Sequence, residues 1–565
     1  MKKLQLEANP QKTAQLLARV RDEITKRGIV DVLRKGIKAY PASLIMFYMT
    51  PSVNNPAAAA LYAKNIFSVT RQLHFSPDAT KLSLDLCIFV NGLPVITFEL
   101  KNQLTKQNVD DAVYQYQHAR SPKELLFQFI RCMVHFAVDD AQVKFCTRLQ
   151  GKESWFLPFN KGYKDGAGNP PNPDGLMTDY LWKQVLTKDM LSRIIENYAT
   201  LVEEKNEETG KTRYKQIFPR YHQLTAVESL LADVKKNGVG NRYLIQHSAG
   251  SGKSNSVAWL AHQLTGLEDA QGNLLVDSVI VVTDRVVLDK QIRDTIRQFA
   301  QTRNIIAWAE QSGDLRKAIE DGRRIIITTI EKLPYVLPEI GEDHKDRHFA
   351  IIIDEAHSSQ NGKTAGTMNM TLSAIMSDPD MDNEDKINAM CEGKKLLTNA
   401  SYFAFTATPK NKTLETFGTA YEDVGAIKHR PFHVYTMKQA IQEGFILDVL
   451  KYYTPIDSYY RLKKTVEDDP MFDKKKAQKK LRAFVENQTF TIAQKADMMV
   501  SHFHEQVIAK GKIGGQARAM IITSSIERCI EYYHAVNKCL ANRHSPYKAI
   551  IAFSGESSWT RMRLP

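Results

Sequence analysis

Two acidic residues and one lysine lie on adjacent apolar segments about 90 residues into the chain. Asp85 lies in the first segment, Glu99 and Lys101 end the second, and Asn91-Gly92 separates the two. Apolar runs joined by Asn-Gly predict a β-hairpin, and residues two apart on a strand share one face. Asp85 and Glu99 could therefore bind one or two Mg²⁺ ions, and Lys101 could stabilise charge or position the attacking water. An exposed, salt-bridged strand pair would explain the same residues without catalysis.

The length of the turn decides whether the two acids can meet. A two-residue turn at Asn91-Gly92 pairs Asp85 with Phe98, so that Asp85 points away from Glu99. A three-residue turn ending at Leu93 places Asp85 directly opposite Glu99. A metal site on this hairpin therefore predicts a turn of odd length.

A glycine-rich loop between a predicted strand and a predicted helix is the second candidate site. The strand Tyr243–Gln246 runs into the loop 247–254, and a helix is predicted from about Asn255. Glycines let such a loop wrap closely, so that backbone N–H groups face phosphate oxygens. Lys253 would reach the β- and γ-phosphates of ATP, and Ser254 would ligate Mg²⁺. The residues expected to bind the nucleotide here are Gly250, Ser251, Gly252, Lys253 and Ser254.

Three more residues complete the predicted ATP site. The apolar run Ile351–Ile353 leads into Asp354 and Glu355, and an acid at the end of a parallel strand lies at the ligand-binding edge of the sheet. Asp354 is expected to hold Mg²⁺ through water, and Glu355 to orient or activate the attacking water. Gln223 precedes the loop at the distance of an adenine-reading glutamine. A helix cap is the alternative role for the Asp-Glu pair.

The order of apolar runs after residue 216 predicts the fold of this part. Short runs alternate with helical stretches, which is typical of a parallel sheet covered on both faces. The runs are Tyr243–Ile245, Val279–Val282, Arg324–Ile327, Ala350–Ile353 and Tyr402–Phe405. A further run, Ala519–Thr523, predicts the start of a second such unit. Hydroxyl-bearing loops follow several runs in the order found in superfamily-two helicases, so a DNA motor is expected.

Length and composition set the number of domains and exclude some classes of protein. A chain of 565 residues is predicted to hold about three domains: 1–215, 216–435 and 436–565. The turn-rich segment 162–175 predicts an exposed loop, and the charged segment 203–215 a linker. Six scattered cysteines without a Cys-x-x-Cys pair predict buried free thiols. The formal net charge of +13 fits a polyanion partner such as DNA.

No apolar run reaches the roughly 18 residues that a membrane span needs. The first ten residues also lack the apolar core of a secretory signal. We therefore expect a cytoplasmic protein without a membrane partner.

Together these motifs resemble the restriction subunit of Type I restriction-modification enzymes. The resemblance is carried by the segments 90–102, 247–254, 354–360 and 441–447. It implies an α/β chain with a restriction-endonuclease-like domain of the PD-(D/E)xK type, followed by RecA-like parallel-sheet motor lobes. It also implies that Asp85, Glu99 and Lys101 cut DNA. Gln115 fits the first position of the family's Gln-x-x-x-Tyr element, although Ala119 stands at its last position.

The resemblance further implies an activity and its partners. Such an enzyme recognises an unmethylated site through methyltransferase and specificity subunits, pulls in double-stranded DNA with ATP, and cuts it at a distance. The segments 520–525 and 552–555 resemble the start of the second motor lobe, and its later motifs are not found before Pro565. We therefore expect a truncated second lobe and a chain that binds nucleotide but translocates poorly alone. The alternatives are a superfamily-two helicase or remodeller without a nuclease, and an inactive DNA- or subunit-binding remnant.

Overall fold

The computed structural model describes the ranges 10–40, 42–205, 210, 212–283, 286–299, 306–309, 312–329, 344–354, 399–423, 425–448, 489–511 and 517–553. The chain divides into two compact units, Met1–Phe445 and Ile446–Pro565. No helix within the described ranges is both long and apolar enough to cross a membrane.

The N-terminal part of the first unit is built around one mixed sheet. Its elements are α1 (Pro10–Arg27), α2 (Ile29–Lys35), β1 (Ile37–Ala39), β2 (Ala42–Leu44), α3 (Pro56–Tyr62), β3 (Phe67–His74), β4 (Ser83–Val90), β5 (Leu93–Leu100), α4 (Val109–Ala119), β6 (Val134–Val138), β7 (Val143–Cys146), β8 (Leu157–Pro158), α5 (Lys188–Arg193), β9 (Thr200–Lys205) and β10 (Thr212–Ile217). The sheet has the strand order β3-β4-β5-β6-β7-β8, and only the β5–β6 pair in it is parallel.

Strand β5 lies in the middle of this sheet and is buried on both faces. Ile96 and Phe98 belong to the main apolar core. Thr97, on the opposite face, bonds to the Tyr116 hydroxyl of α4 at 2.9 Å between oxygens. Because side chains alternate along a strand, Glu99 shares the face of Thr97 and lies on the α4 side of the sheet.

The described residues of the charged segment 203–215 lie largely in two paired strands and not in the predicted linker. Strands β9 and β10 pair antiparallel, with Glu203 opposite Tyr214 and Glu204 opposite Arg213. Oppositely charged cross-strand neighbours stabilise such a pair. The charged residues of this segment therefore lie on paired strands.

The rest of the first unit is a parallel-sheet lobe, as the alternation of apolar runs predicted. Its elements are α6 (Tyr221–Asn237), β11 (Arg242–His247), α7 (Lys253–Leu264), β12 (Ser278–Thr283), α8 (Val286–Phe299), β13 (Ile306–Trp308), α9 (Ser312–Glu320), β14 (Ile325–Thr329), β15 (Phe349–Ile353), β16 (Ala400–Thr406), α10 (Asn411–Phe417), β17 (Thr419–Asp423), β18 (Ala426–Arg430), β19 (His433–Tyr435) and α11 (Met437–Gln442). Seven strands pair in the order β13-β14-β12-β15-β16-β11-β19, all of them parallel. All five predicted strands of this region are confirmed.

Alternate residues of these strands enter two separate apolar clusters. Val279 and Val281 of β12 pack into the larger cluster, which continues into the N-terminal part, whereas Ile280 and Val282 pack into the smaller one. Trp259 of α7 joins the two parts, because its indole N–H donates to the Tyr198 carbonyl at 3.1 Å. The N-terminal part and the parallel-sheet lobe thus share one continuous core.

The second unit contains two described α-helices, α12 (Thr489–His502) and α13 (Ile526–Asn542), packed through a small apolar core. The predicted strand Ala519–Thr523 is wrong, since this segment has no regular structure. A strand needs hydrogen bonds to a neighbouring strand, and no described segment of this unit pairs with it. Met520 and Ile522 are accordingly 82% and 81% exposed.

The thiol prediction is confirmed for three cysteines and only partly met by two others. Cys87, Cys132 and Cys146 are free and buried, whereas Cys529 and Cys539 are free and half-buried. Cys391 lies outside the described residues.

Candidate functional site

The β4–β5 hairpin has a two-residue turn, so the prediction of an odd turn length is wrong. Val90 pairs with Leu93, and both turn residues have positive φ, 51° for Asn91 and 81° for Gly92. Such values are typical of the tight turns that Asn-Gly favours. A two-residue turn alone would have turned Asp85 away from Glu99.

A β-bulge restores the register that the turn would have removed. Phe89 pairs with Pro94, but Ile88 pairs with Ile96, so Val95 is an extra residue in β5. Beyond the bulge Leu86 lies opposite Phe98. Continuing this register by one residue places Asp85 opposite Glu99.

Asp85 is held at the end of the hairpin by backbone and side-chain donors. Its Oδ2 accepts from the Leu100 backbone N–H at 2.8 Å, and its Oδ1 from the Gln72 side-chain amide at 3.3 Å. The first contact ties the carboxylate of β4 to the strand that carries Glu99. Asp85 and Glu99 therefore share one end of one face of the hairpin.

The Glu99 side chain is fully buried and only half satisfied. Its Oε1 accepts from the Arg120 Nε at 2.6 Å, with exposures of 0% for the Glu99 side chain and 4% for that of Arg120. Its Oε2 is buried without a hydrogen-bond partner in the described part of the chain. Burial raises the pKa of Glu99 to about 7; Arg120 opposes this rise, and the Asp85 carboxyl group adds to it.

Lys101 and Gln115 are in direct contact. The Lys101 Nζ donates to the Gln115 Oε1 at 2.5 Å. Gln115 lies on α4, whose start is fixed by a capping box between Asn108 and Asp111. The structure thus gathers all four residues proposed for DNA cutting that lie in this domain.

Sequence reasoning missed Arg120, the charged partner of Glu99. Arginine directly after a predicted helix is common, so only the fold reveals this contact. Tyr116 is fully buried and bonded to Thr97, away from Lys101.

The donors at this hairpin suit a small hard cation. Magnesium prefers one or two carboxylates, with water and phosphate oxygens as its other ligands. The residues that fit are Asp85 and Glu99, since Glu99 Oε2 is buried and no described residue donates to it. Among the described residues no group of three or more His, Cys, Asp or Glu side chains could hold a metal ion.

The glycine-rich loop connects β11 directly to α7. The helix begins at Lys253, two residues before the predicted start. Gly250 and Gly252 have φ of 72° and 77°, which L side chains rarely adopt. A Cβ on Gly252 would lie 2.5 Å from the Gln223 Nε2, so a side chain there would displace Gln223 in addition to straining the backbone.

Residues at the start of α6 hold the carbonyl groups of this loop. The Arg220 Nη2 donates to the Gly250 carbonyl at 2.8 Å, and the Gln223 Nε2 to the Gly252 carbonyl at 2.9 Å. The His222 Nε2 lies 3.0 Å from the Ser251 carbonyl oxygen. With the carbonyls held by α6, the opposite side of the loop can present N–H groups to an anion.

His247 occupies the position where a glycine is usual, and it is fully buried. Its Nε2 lies 2.9 Å from the Nδ1 of His433 in β19. The ring of His222 stacks on Tyr435 with 3.8 Å between centroids. Burial lowers the pKa of His222, His247 and His433. Burial therefore favours the neutral form of all three rings.

The remaining predicted nucleotide-site residues lie at or near the carboxyl edge of the sheet. Lys253 is buried, and its Nζ donates to the His247 carbonyl at 3.5 Å. Ser254 follows in α7 and is half-buried. Asp354 directly follows β15, and its backbone N–H donates to the Val282 carbonyl at 3.0 Å. Glu355 lies outside the described residues.

Comparisons with known proteins match both candidate sites. Residues 222–489 match the family model of the SWI2/SNF2 ATPase, and residues 51–154 match that of the Type I restriction enzyme R protein N terminus. A Type I restriction enzyme endonuclease subunit from Staphylococcus saprophyticus is 23% identical over 501 residues, 87% of this chain and 46% of that protein. A Mycoplasma pneumoniae protein, named as the C-terminal part of a Type I restriction enzyme endonuclease subunit, is 31% identical over 159 residues, 26% of this chain and 73% of that protein.

The chain belongs to the family of Type I restriction enzyme endonuclease subunits. It spans about half the length, or less, of the staphylococcal subunits it matches, 46% and 36% for two of them. A solved fragment assigned to the HsdR subunit of a Type I restriction enzyme from Vibrio vulnificus shows a TM-score of 0.32 at 14% identity. That match covers 84% of this chain and 70% of the fragment.

The segment 162–168 docks the N-terminal part onto the parallel-sheet lobe. The Ala167 backbone N–H donates to the Gln442 Oε1 at 2.7 Å, and the Thr436 hydroxyl to the Asp165 carbonyl at 2.5 Å. Within the predicted exposed loop, residues 163–165 and 171–175 are largely exposed, whereas residues 166–170 are buried or half-buried. Just beyond α11, Phe445 lies under the Arg220 guanidinium, 4.1 Å from ring centroid to Cζ. The contact between the two parts therefore continues to the residue that holds the glycine-rich loop.

Proposed function

We propose that this chain is an ATP-dependent Type I site-specific deoxyribonuclease subunit. It binds ATP, translocates double-stranded DNA and cleaves it away from an unmethylated recognition site. We assign the PD-(D/E)xK nuclease to residues 1–215, the first motor lobe to 216–435 and a partial second lobe to 436–565. The observation that supports this proposal is the bulged hairpin, whose Leu86–Phe98 pairing, continued by one residue, brings Asp85 opposite Glu99.

The nuclease residues divide the work of phosphodiester hydrolysis. Asp85 and the free Oε2 of Glu99 would hold Mg²⁺ at the end of the hairpin. The bound ion supplies Lewis-acid stabilisation of charge and favours ionisation of an attacking water. Lys101 lies beside this point, oriented by Gln115 at 2.5 Å, and its ammonium group can position that water or stabilise the phosphorane charge.

The residues of the proposed ATP site can each be given a role in phosphoryl transfer. Backbone N–H groups of the loop 250–254 cradle the phosphates, and Lys253 neutralises their charge. Ser254 and Asp354 would hold Mg²⁺, and Glu355 would orient the attacking water. Gln223 uses one amide hydrogen on the Gly252 carbonyl, so its second amide hydrogen is the group left to read adenine.

The partners proposed for the chain are those of a Type I complex. Double-stranded DNA fits the formal net charge of +13, since phosphate contacts are made largely by Lys and Arg. Methyltransferase and specificity subunits would recognise the site, because neither candidate site described above reads DNA sequence.

Two point variants test the proposal by separating cutting from ATP use. Lys101→Ala in the complex with methyltransferase and specificity subunits should abolish cleavage of unmethylated plasmid and leave nucleotide binding unchanged. Lys253→Ala should abolish nucleotide binding and, with it, ATP-dependent cleavage. Lys123→Ala, at an exposed lysine of the same domain, is the matched control and should cut normally. Undiminished cutting by Lys101→Ala would instead favour a motor without a nuclease.

A further inference from the structure

Arg120 is the first residue after α4, and its side chain is almost completely buried. It forms the buried ion pair with Glu99, Nε to Oε1 at 2.6 Å. Burying two charges is costly unless the geometry is good and the other donors are also satisfied. The pair therefore needs further contacts to hold it in place.

Those contacts hold Arg120 on two sides. Its Nη2 donates to the Ser83 carbonyl at the start of β4, at 2.8 Å. Its guanidinium also lies over the Phe75 ring, 5.4 Å from the centroid. The planar fork of arginine can make the Glu99 and Ser83 contacts simultaneously, whereas the ammonium of lysine lacks this geometry. Arg120 is thus a rigid bridge between the strand of Asp85 and the side chain of Glu99.

This bridge fixes which oxygen of Glu99 remains available. Oε1 is taken by Arg120, and Oε2 is buried without a donor in the described ranges. Asp85 is fixed in a similar way, because the Leu100 N–H holds its Oδ2 at 2.8 Å. Each carboxylate therefore has one oxygen held by a strong protein donor.

We propose that Arg120 is a positioning residue that orients Glu99 so that its Oε2, together with Asp85, binds the divalent cation of the nuclease. This inference rests on the proposed nuclease function. The proposed role of Arg120 differs from that of an arginine in a purely structural ion pair in one respect. Arg120 should set the affinity of the site for metal as well as the stability of the fold.

Metal binding to the full chain without nucleotide tests this role directly. Mn²⁺ would be titrated by calorimetry and by electron paramagnetic resonance into wild type and into Asp85→Ala, and the difference gives binding at the hairpin. Hydrogen-bonded partners of metal ligands typically change metal affinity by about 10–100-fold, so Arg120→Gln should weaken this binding by about that factor. Arg120→Lys should weaken it less, because it keeps the charge but loses the fork.

Arg131→Gln is the matched control. Arg131 is another buried arginine of the same domain, 8% exposed, with its Nη2 bonded to Thr25. It precedes β6 at the opposite end of the β5–β6 pair from Glu99. Its substitution should lower the melting temperature without changing Mn²⁺ affinity.

Each result has a defined reading. Unchanged Mn²⁺ affinity in Arg120→Gln, with only a lower melting temperature, would overturn the positioning role and leave the proposed nuclease intact. Wild type that binds no more Mn²⁺ than Asp85→Ala would overturn both the positioning role and the nuclease site. If Arg120→Gln does not fold, Arg120→Lys decides, since affinity equal to wild type would overturn the role.

Discussion

His135 should make the nuclease domain sensitive to mild acid. It lies in β6, 3% exposed, with its Nδ1 2.7 Å from the Thr97 hydroxyl. Burial lowers the pKa of His135 to about 3, against about 6.5 for an unfolded histidine. Between these values the unfolded state binds a proton that the folded state does not. Stability is therefore complete above about pH 6.5 and falls as the pH decreases toward 3.

The size of this effect follows from the two pKa values. At pH 5.5, one unit below the unfolded pKa, the free energy of unfolding should be about 1.4 kcal/mol lower than at pH 7.5 from His135 alone. At pH 4.5 the loss should reach about 2.7 kcal/mol by the same relation. Other buried histidines add to the total for wild type, so the contribution of His135 must be isolated by substitution.

The assay measures how the free energy of unfolding changes with pH in two variants, each with one histidine replaced by phenylalanine. His135→Phe keeps a ring beside Tyr116 and Phe127 but cannot take up a proton. Urea unfolding would be followed by tryptophan fluorescence, since Trp182 lies 5.3 Å from the Phe98 ring of β5 between centroids. His135→Phe should lose about 1.4 kcal/mol less than wild type between pH 7.5 and 5.5, whereas exposed His118→Phe should match wild type. Equal losses in wild type and His135→Phe would refute the reasoning.

Two further substitutions test the nucleotide loop and the shared core. Gly252→Ala, with its Cβ 2.5 Å from the Gln223 Nε2 and φ at 77°, should weaken binding of a fluorescent ATP analogue by about 5- to 30-fold, on the order of 1–2 kcal/mol of strain. Gly266→Ala, where a Cβ meets nothing within 4 Å, should bind normally, and equal affinities for the two would contradict the geometry. Trp259→Ala, at a side chain 1% exposed, should cost about 3–5 kcal/mol in calorimetric or urea unfolding and destabilise the N-terminal part together with the parallel-sheet lobe. Separate transitions, with the N-terminal part unaffected, would contradict a continuous core.

The parallel sheet could be predicted because its strands carry the signal themselves. Residues such as Val279 to Val282 are apolar without interruption, since both faces of the sheet are covered. The glycine-rich loop was equally visible, because its function depends on local backbone geometry. The segment Ala519–Thr523 is also largely apolar. A strand additionally needs a neighbouring strand to pair with, and the composition of a segment does not show whether one is present.

The register of the β4–β5 hairpin could be predicted only in part from the sequence. The turn Asn91-Gly92 was visible in the sequence, and the same-face requirement for Asp85 and Glu99 was correct. The predicted solution, an odd turn, was wrong because the extra residue lies in the strand, at Val95. Turn and bulge shift the register equally well. Only the pairing of Ile88 with Ile96 distinguishes them.

Helix α4 lacks the last residue of the Gln-x-x-x-Tyr element, yet it still contacts the polar residues at the end of β5. This helix and the residue after it contact three residues that alternate along β5 and just beyond it. Tyr116 meets Thr97, Arg120 meets Glu99 and Gln115 meets Lys101. The family's last motif position is Ala119, which has no polar side chain to contribute. Arg120 follows Ala119 directly and reaches Glu99 from the same side, so the Glu99 carboxylate is still paired with a residue at the end of α4. A motif that requires tyrosine at a fixed spacing does not predict this arginine contact.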